Sequence, residues 1–210
     1  MQNDILRAEM LQPTDDVAAT IAHQRLAKRG AEYTSEVRRL LDAGLDVMRR
    51  CGTTSSPRVS DIVAAAGLSN DAFYRHFASK QALVAAIIED GSSRLASYLA
   101  HQMEKVATAE GKVAAWIAGV MSQAADEEIA STTLAVLWNG ATVGGMTTDP
   151  LAALLRDPFA ALGSTDPEAD AALCAHAAVG VLSDFLWRRV TPTPAQIDHV
   201  TEFCLRAITV

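Results

Sequence analysis

Apolar residues recur along nearly the whole chain at intervals of three and four, the spacing that places them on one face of a helix. The first clear set joins Val37, Leu40, Leu41, Leu45 and Met48. Helices are predicted over residues 34–50, 59–66, 70–77 and from 79 onward, and then near 92–107, 110–125, 130–140, 149–162, 167–190 and 194–208. No segment alternates apolar and polar residues as a half-buried strand does. The pattern therefore predicts an all-α fold.

Polar breaks between these segments suggest three regions. Residues 1–33 form an N-terminal extension, in which Pro13-Thr14-Asp15-Asp16 begins a weakly apolar extra helix that reaches Gly30. Residues 34–80 hold three short helical segments, and residues 81–210 hold longer Ala-rich ones.

The net charge also differs between the N-terminal and C-terminal parts of the chain. The net charge of the chain is −7, but residues 25–80 carry ten Lys/Arg against six Asp/Glu, a net of +4. Residues 81–210 carry seven against fifteen, a net of −8. A basic block beside an acidic one suggests a module that binds polyanions, joined to one that does not.

Several protein classes lack support in this sequence. No apolar stretch reaches the roughly 18 uninterrupted residues that span a bilayer, and no basic segment followed by an apolar one marks an export signal. Three widely spaced cysteines indicate free thiols in a reducing compartment, so we expect a cytoplasmic protein. No metal-ligand spacing, phosphate loop or nucleophile elbow appears. We therefore expect no enzyme activity, cofactor, metal or membrane contact.

Residues 67–80, GLSNDAFYRHFASK, combine a tight corner with a short helix. Gly67 supplies the left-handed residue that ends the helix over 59–66, and Ser69 or Asn70 can cap the next one. Phe73 and Phe77 lie four residues apart, so they share a buried face and hold the second helix. Two short helices joined in this way form a helix-turn-helix, whose second helix enters the DNA major groove.

Residues 59–90, VSDIVAAAGLSNDAFYRHFASKQALVAAIIED, resemble the DNA-binding domain of the tetracycline-repressor (TetR) family of bacterial transcriptional regulators. The specific features are Gly-Leu-Ser, then Phe-Tyr-x-His-Phe, then Ser-Lys-x-x-Leu at the family's spacing. The resemblance covers residues 34–90 in detail, and beyond them only length and helicity agree. It implies a helix-turn-helix domain over residues 34–80 and an effector-binding and dimerisation domain over residues 81–210.

The resemblance implies, position by position, eight residues that contact DNA: Arg58, Ser60, Asn70, Asp71, Ala72, Tyr74, His76 and Lys80. Those at 70–72 correspond to positions that face base edges, and those at 74, 76 and 80 to positions that contact phosphates. Those at 58 and 60 begin the first helix of the motif.

Two interpretations of the DNA-binding region stay open. Asp71 stands where the family often has Gly, so it either accepts a hydrogen bond from a cytosine amino group or caps the helix away from the groove. The basic stretch Gln24–Arg29 is either an arm along DNA or an ordinary surface helix.

The resemblance also implies an effector pocket in the C-terminal region, and pockets are mostly apolar with a few polar groups. Candidate lining residues are Trp116, Met121, Trp138, Asn139, Thr142, Met146, Phe159 and His176. Taken singly, each is also suited to an ordinary core position, and His176 to a satisfied core histidine.

The resemblance places the subunit interface of a homodimer on the last two helices. Apolar residues at helical spacing there are Val179, Leu182, Phe185 and Leu186 on the first, and Ile197, Val200, Phe203 and Cys204 on the second.

The function implied is a ligand-responsive transcriptional regulator, as a repressor, that binds a near-palindromic double-stranded operator as a homodimer and is released by a small hydrophobic effector. The alternative is an effector-independent structural or nucleoid-type DNA-binding protein, which needs no cavity.

Overall fold

The structure, a computed structural model, describes residues 17–141 and 148–208, and within these ranges it contains helices and no strand. The α-helices are α1 (Val17–Cys51), α2 (Val59–Ala66), α3 (Asn70–His76), α4 (Lys80–Glu104), α5 (Ala109–Met121), α6 (Glu127–Gly140), α7 (Asp149–Ala152), α8 (Arg156–Ala161), α9 (Pro167–Arg188) and α10 (Pro194–Ile208). Short 3₁₀ turns follow α5 and α7. The predicted all-α fold is confirmed.

The predicted division between a helix that ends at Gly30 and one that begins at residue 34 is wrong, and so is the separate helix predicted near 92–107, because α1 and α4 are continuous there. A glycine weakens a helix by roughly 1 kcal/mol relative to alanine, but it keeps the amide and carbonyl groups that the helix requires. At Gly30 the carbonyl also accepts a hydrogen bond from the Thr34 hydroxyl at 2.9 Å, within the helix.

The chain divides after Arg39 into two compact units, and the second, from Leu40 onward, contains every site described below. This unit has two hydrophobic cores. The first core collects buried side chains from the end of α1, from α2, α3 and the start of α4, and from one residue of α6, Ala135. The second core collects side chains from the end of α4 and from the helices that follow it.

Helix α4 takes part in both cores. Leu83, Val84, Ile87 and Ile88 belong to the first, and Leu99 belongs to the second. The division that was predicted at residue 80 therefore precedes four residues that stabilise the first core. Helix α4 therefore extends from the core of the helix-turn-helix domain into the core of the C-terminal domain.

By length and composition, α9 is apolar enough to cross a membrane, although only 39% of its most apolar window is buried in the subunit. A core helix of a soluble protein passes the same test, and α9 does supply Ala175, Ala178 and Leu182 to the second core. The second core therefore leaves part of the apolar surface of α9 uncovered.

Candidate functional site

The corner between α2 and α3 has the geometry expected of a helix-turn-helix. Gly67 ends α2 in the left-handed conformation, with φ 63° and ψ 39°, and the Leu68 amide donates to the Val63 carbonyl at 2.9 Å. A side chain at Gly67 would strain this conformation, so glycine sets the direction in which the chain enters α3. The Ser69 hydroxyl then accepts from the Ala72 amide at 3.1 Å and caps α3.

Phe73 anchors α3 on the first core. Its side chain is fully buried, and its ring lies 6.0 Å from that of the half-buried Phe77 and 5.2 Å from that of Tyr74. The prediction that the phenylalanines hold this helix is confirmed for Phe73. Loss of such a side chain costs about 3–5 kcal/mol, so Phe73 contributes strongly to holding α3 on the first core.

The opposite face of α3 is open to a partner. Asn70, Asp71 and Tyr74 are exposed, and 59% of the Tyr74 surface is accessible. Arg58 and Ser60 are exposed at the start of α2. These five polar side chains lie on the two helices that are predicted to contact DNA.

The remaining three residues predicted to contact DNA are less exposed than these five. His76 at the end of α3 and Lys80 at the start of α4 are half-buried. The prediction for Ala72 has to be corrected, because its side chain is 4% exposed and packs inward beside Phe73. The motif's spacing does not reveal this, since a small side chain suits either face of the helix.

The structure also shows how α3 is capped and which basic side chain lies exposed at its end. Ser69 supplies the cap, so the capping role considered for Asp71 is wrong, and the Asp71 carboxylate lies exposed in the first turn. Arg75 is exposed in the last turn of α3 and was not singled out by the sequence. Its only signal was its position between two residues predicted to contact phosphate.

A cleft of about 480 Å³ opens between α1, α4 and α6. Its walls are Leu41, Asp42 and Leu45 of α1, the part of α4 from Ile87 to Tyr98, and the part of α6 from Glu128 to Val136, with Gln123 and Leu151 completing the lining. We call it the junction cleft, because α1 and α4 are the helices that precede and follow the helix-turn-helix. A second cleft of similar volume, about 480 Å³, includes charged groups from Arg49, Glu127 and Arg189 in its lining.

The predicted effector-pocket residues that the structure describes are absent from the lining of both clefts. Trp116, Met121 and Phe159 are buried in the second core, and the Trp116 indole donates to the Leu151 carbonyl at 3.0 Å. Asn139 is buried and donates to the Ala135 carbonyl at 2.9 Å. These four are core residues because close packing and a backbone acceptor already satisfy them.

Two more of the predicted pocket residues, Trp138 and His176, also lie outside the clefts. Trp138 is 42% exposed and meets the Trp187 ring edge to face at 5.6 Å. His176 is exposed, with Nδ1 2.7 Å from the Ala172 carbonyl oxygen. Thr142 and Met146 lie outside the described residues. The pocket prediction is therefore corrected in favour of the clefts.

The predicted interface residues need a similar correction. Leu182, Phe185, Leu186 and Cys204 are buried inside the subunit, because the second core takes this face of α9 and α10. Val179, Ile197 and Val200 are half-buried against the same core. Of the predicted set, Phe203 stands clear of it, with 59% of its surface exposed.

A different stripe of α9 faces outward. It consists of the exposed residues Leu173, Gly180, Asp184 and Trp187 and the half-buried Ala177, which follow one another at intervals of four and three. Leu173 is 69% exposed and Trp187 is 49% exposed. This spacing was visible in the sequence, but α9 is apolar on both faces and the pattern alone does not tell them apart.

Electrostatic contacts join α1 to α6 beside the clefts. The Arg49 guanidinium forms ion pairs with Glu128 of α6 and with Asp46 of its own helix. The hydrogen bond that Arg49 donates to Glu128, followed by the one that it donates to Asp46, raises the pKa of Arg49, which keeps its charge. Asp126 caps α6 by accepting from the Glu128 and Ile129 amides at 2.9 and 3.0 Å, so its carboxylate stabilises a helix end.

Two buried thiols meet between α9 and α10. A hydrogen bond with Cys204, together with burial, raises the pKa of the Cys174 thiol above its ordinary value. All three cysteines of the chain are free thiols, as the sequence predicted.

The sequence matches the family model of bacterial regulatory proteins of the tetR family over residues 40–87. This range runs from the end of α1 through the helix-turn-helix into α4. Among curated proteins, no significant match was found.

Solved structures extend the similarity to the whole fold. A tetR-family transcriptional regulator from Mesorhizobium loti superposes with a TM-score of 0.61 at 15% identity, covering 84% of this chain and 96% of its own. A tetR-family regulator from Pectobacterium atrosepticum gives 0.59 at 20% identity, with 85% and 92% covered. The transcriptional regulator FadR from Bacillus subtilis, in complex with stearoyl-CoA, gives 0.53 at 16% identity, with 82% and 97% covered.

A capped helix on a buried aromatic anchor, joined by α4 to a larger helical domain, is the arrangement of a helix-turn-helix fold. The family match covers this motif, and the two tetR-family structures share the fold over 84% and 85% of this chain. Over residues 40–87 the protein is similar to the bacterial regulatory proteins of the tetR family.

Proposed function

We propose that this regulator is a cytoplasmic repressor that binds a near-palindromic operator as a homodimer and releases it when a small, mainly apolar effector binds. The observation that carries the proposal is the two-sided α3. Phe73 fixes one side in the core, while Asn70, Asp71 and Tyr74 stand exposed on the other. The proposal assigns no catalytic step to the chain.

The exposed face of α3 combines the two kinds of contact that operator recognition needs. Asn70 in the first turn suits bidentate hydrogen bonds to adenine, and the exposed Asp71 suits acceptance from a cytosine amino group. Tyr74, Arg58 and Ser60 suit phosphate oxygens, which position the protein without reading sequence. A net charge of +4 over residues 25–80 strengthens attraction to the duplex.

The outward stripe of α9 supports the homodimer. Leu173 and Trp187 expose apolar area that a monomer leaves in water, and a side chain at Gly180 would meet no other atom within 4 Å. In a two-fold interface each of these residues is buried twice, once in each subunit, and a glycine lets two helices approach closely. Phe203 of α10 adds an exposed ring.

The junction cleft supports effector control. It is lined by both helices that border the helix-turn-helix, so a ligand that favours one arrangement of α1 and α4 shifts the population of the DNA-competent state. The similar FadR structure in complex with stearoyl-CoA lends support to a ligand-bound state in this fold.

Selection of duplexes from a random pool tests the proposal. We expect a consensus with two related half-sites about one helical turn apart, and binding by dimers. A small-molecule thermal-shift screen then identifies ligands, and an effector should both stabilise the protein and weaken operator binding. Recovery of no consensus would contradict the operator role, and stabilising ligands that leave operator binding unchanged would contradict effector control.

A further inference from the structure

The geometry points to a specific chemical class of ligand for the junction cleft: an apolar molecule that carries a single positive charge, which is held at the Asp42 end. This inference rests on the proposed effector control and names the chemistry of its ligand.

The body of the cleft suits an apolar group. Leu41, Leu45, Leu95 and Val136 line it, and each is only half-buried by the protein itself. Tyr98 and Ile129 also line it and remain 41% and 44% exposed. A volume of about 480 Å³ lies within the range of small-molecule sites, and a ligand there would cover these side chains.

The charges on the walls are unequal. Asp42, Asp90 and Glu128 are acidic, whereas Arg94 is the basic residue of the lining. The Arg94 guanidinium is paired with Asp90 at 2.5 Å, and Glu128 is paired with Arg49. Among the residues that the structure describes, Asp42 forms no ion pair, so one carboxylate at the cleft is uncompensated.

This imbalance selects among ligands of equal shape. A cationic group near Asp42 gains a charge-assisted contact, and a neutral group gains none. An anion meets Asp42 directly and has Arg94 available only if it displaces Asp90. The cleft therefore favours a cation and disfavours a carboxylate or a phosphate on the same apolar body.

Three probes of nearly equal shape separate these cases: 4-phenylbutylamine, which is protonated at neutral pH, 4-phenylbutanol and 4-phenylbutyrate. Calorimetric titration of the full chain should rank them amine, alcohol, acid. We expect steps of about fivefold, the size of one partly exposed charge contact. Asp42→Asn should bring the amine to the affinity of the alcohol, whereas Glu89→Gln, on exposed α4 surface outside the cleft, should change nothing.

A second pair of variants tests the location without relying on charge. Gly91 lines the cleft, and a side chain there would meet no atom within 4 Å, so Gly91→Leu should fill the cleft while the helix persists. Gly30→Leu makes the same change at an open position in α1. Amine binding should fall more than about tenfold in the first variant and stay unchanged in the second, with both variants folded by circular dichroism.

Equal affinity for the three probes, tightest binding of the acid, no binding of any probe, or amine binding that survives Gly91→Leu would overturn the inference. Operator binding without ligand is measured in parallel. If the operator is bound and the amine is not, the ligand class is wrong while the regulator function stands. If no duplex is preferred, the proposed function itself fails.

Discussion

At the scale of single residues, the orientation of the recognition helix depends on one hydroxyl and one ring. Ser69 satisfies an amide at the start of α3, and Phe73 fills the first core beneath it. A seven-residue helix is too short to persist without such tertiary support. The sequence restricts the cap to Ser69 or Asn70 and assigns Phe73 to the buried face, because capping and i, i+4 packing are local rules.

Ser69→Ala should therefore lower the free energy of unfolding by about 1 kcal/mol, since the Ala72 amide loses its acceptor. Chemical denaturation measures the change. Ser56→Ala, in the exposed loop before α2, serves as the control and should be within experimental error of the parent protein. An equal effect of both substitutions would show that the cap contributes nothing.

Substitutions on α3 should distinguish the residues that recognise the DNA sequence from those that only position the protein on the DNA backbone. Asn70→Ala should reduce the preference for cognate over random DNA by roughly 1–3 kcal/mol if the amide makes a bidentate contact with a base. Tyr74→Phe should weaken binding to both duplexes about equally, because phosphates carry no direct sequence information. Competition binding with the two duplexes distinguishes these outcomes, and a changed consensus for Tyr74→Phe would reverse the two roles.

At the scale of elements, the errors of sequence prediction have two physical sources. The first is glycine: the sequence predicts a helix end at Gly30, and Gly91 lies just before a helix predicted near 92–107, yet each occupies an open helical position where nothing needs a special conformation. Gly67 differs because its φ of 63° makes it a true stop. Composition does not separate these cases, since the difference lies in the backbone angle and in the packing of the neighbouring turns.

Gly30→Ala should accordingly stabilise the helical state by about 0.5–1 kcal/mol, because alanine restricts the unfolded chain and fits the helix without strain. Thermal melting followed by helical signal measures the gain. Gly67→Ala provides the contrast and should destabilise the protein, because a left-handed residue with a side chain is strained. Similar shifts for both variants would contradict this assignment of the two glycines.

The second source of error is a helix with two apolar faces. The periodicity of α9 identified the set Val179, Leu182, Phe185 and Leu186, which faces the core of its own subunit. The outward set, with Leu173 and Trp187, also recurs at helical spacing, and periodicity alone does not show which set the core covers. The same limit explains the pocket prediction, because Trp116 and Phe159 suit a core as well as a cavity.

Leu173→Glu should convert dimers to monomers and weaken operator binding, because two charges enter one two-fold interface. Val17→Glu is a matched control, since both leucine and valine are 69% exposed, and it should leave the oligomeric state unchanged. Sedimentation velocity gives the result, with circular dichroism to show that both variants fold. A dimer that persists in Leu173→Glu would place the interface elsewhere.

At the scale of the whole molecule, one helix links recognition to response. The first core holds α3, the second core holds the C-terminal helices, and α4 contributes to both. The junction cleft borders α4 between Ile87 and Tyr98, the stretch where it passes from one core to the other. The sequence revealed the DNA-binding motif because its residues are contiguous, whereas the cleft joins segments more than eighty residues apart and emerges only in the fold.

We expect the exposed face of α3 to bind DNA in a sequence-specific and salt-sensitive way. This expectation is tested most directly by fluorescence anisotropy with the selected operator and a scrambled duplex over a series of salt concentrations. We expect tighter binding to the operator than to the scrambled duplex. The logarithm of the affinity should fall linearly with the logarithm of the salt concentration, with a slope of roughly −0.9 for each phosphate contacted. Equal affinity for the two duplexes, or affinity independent of salt, would contradict this expectation.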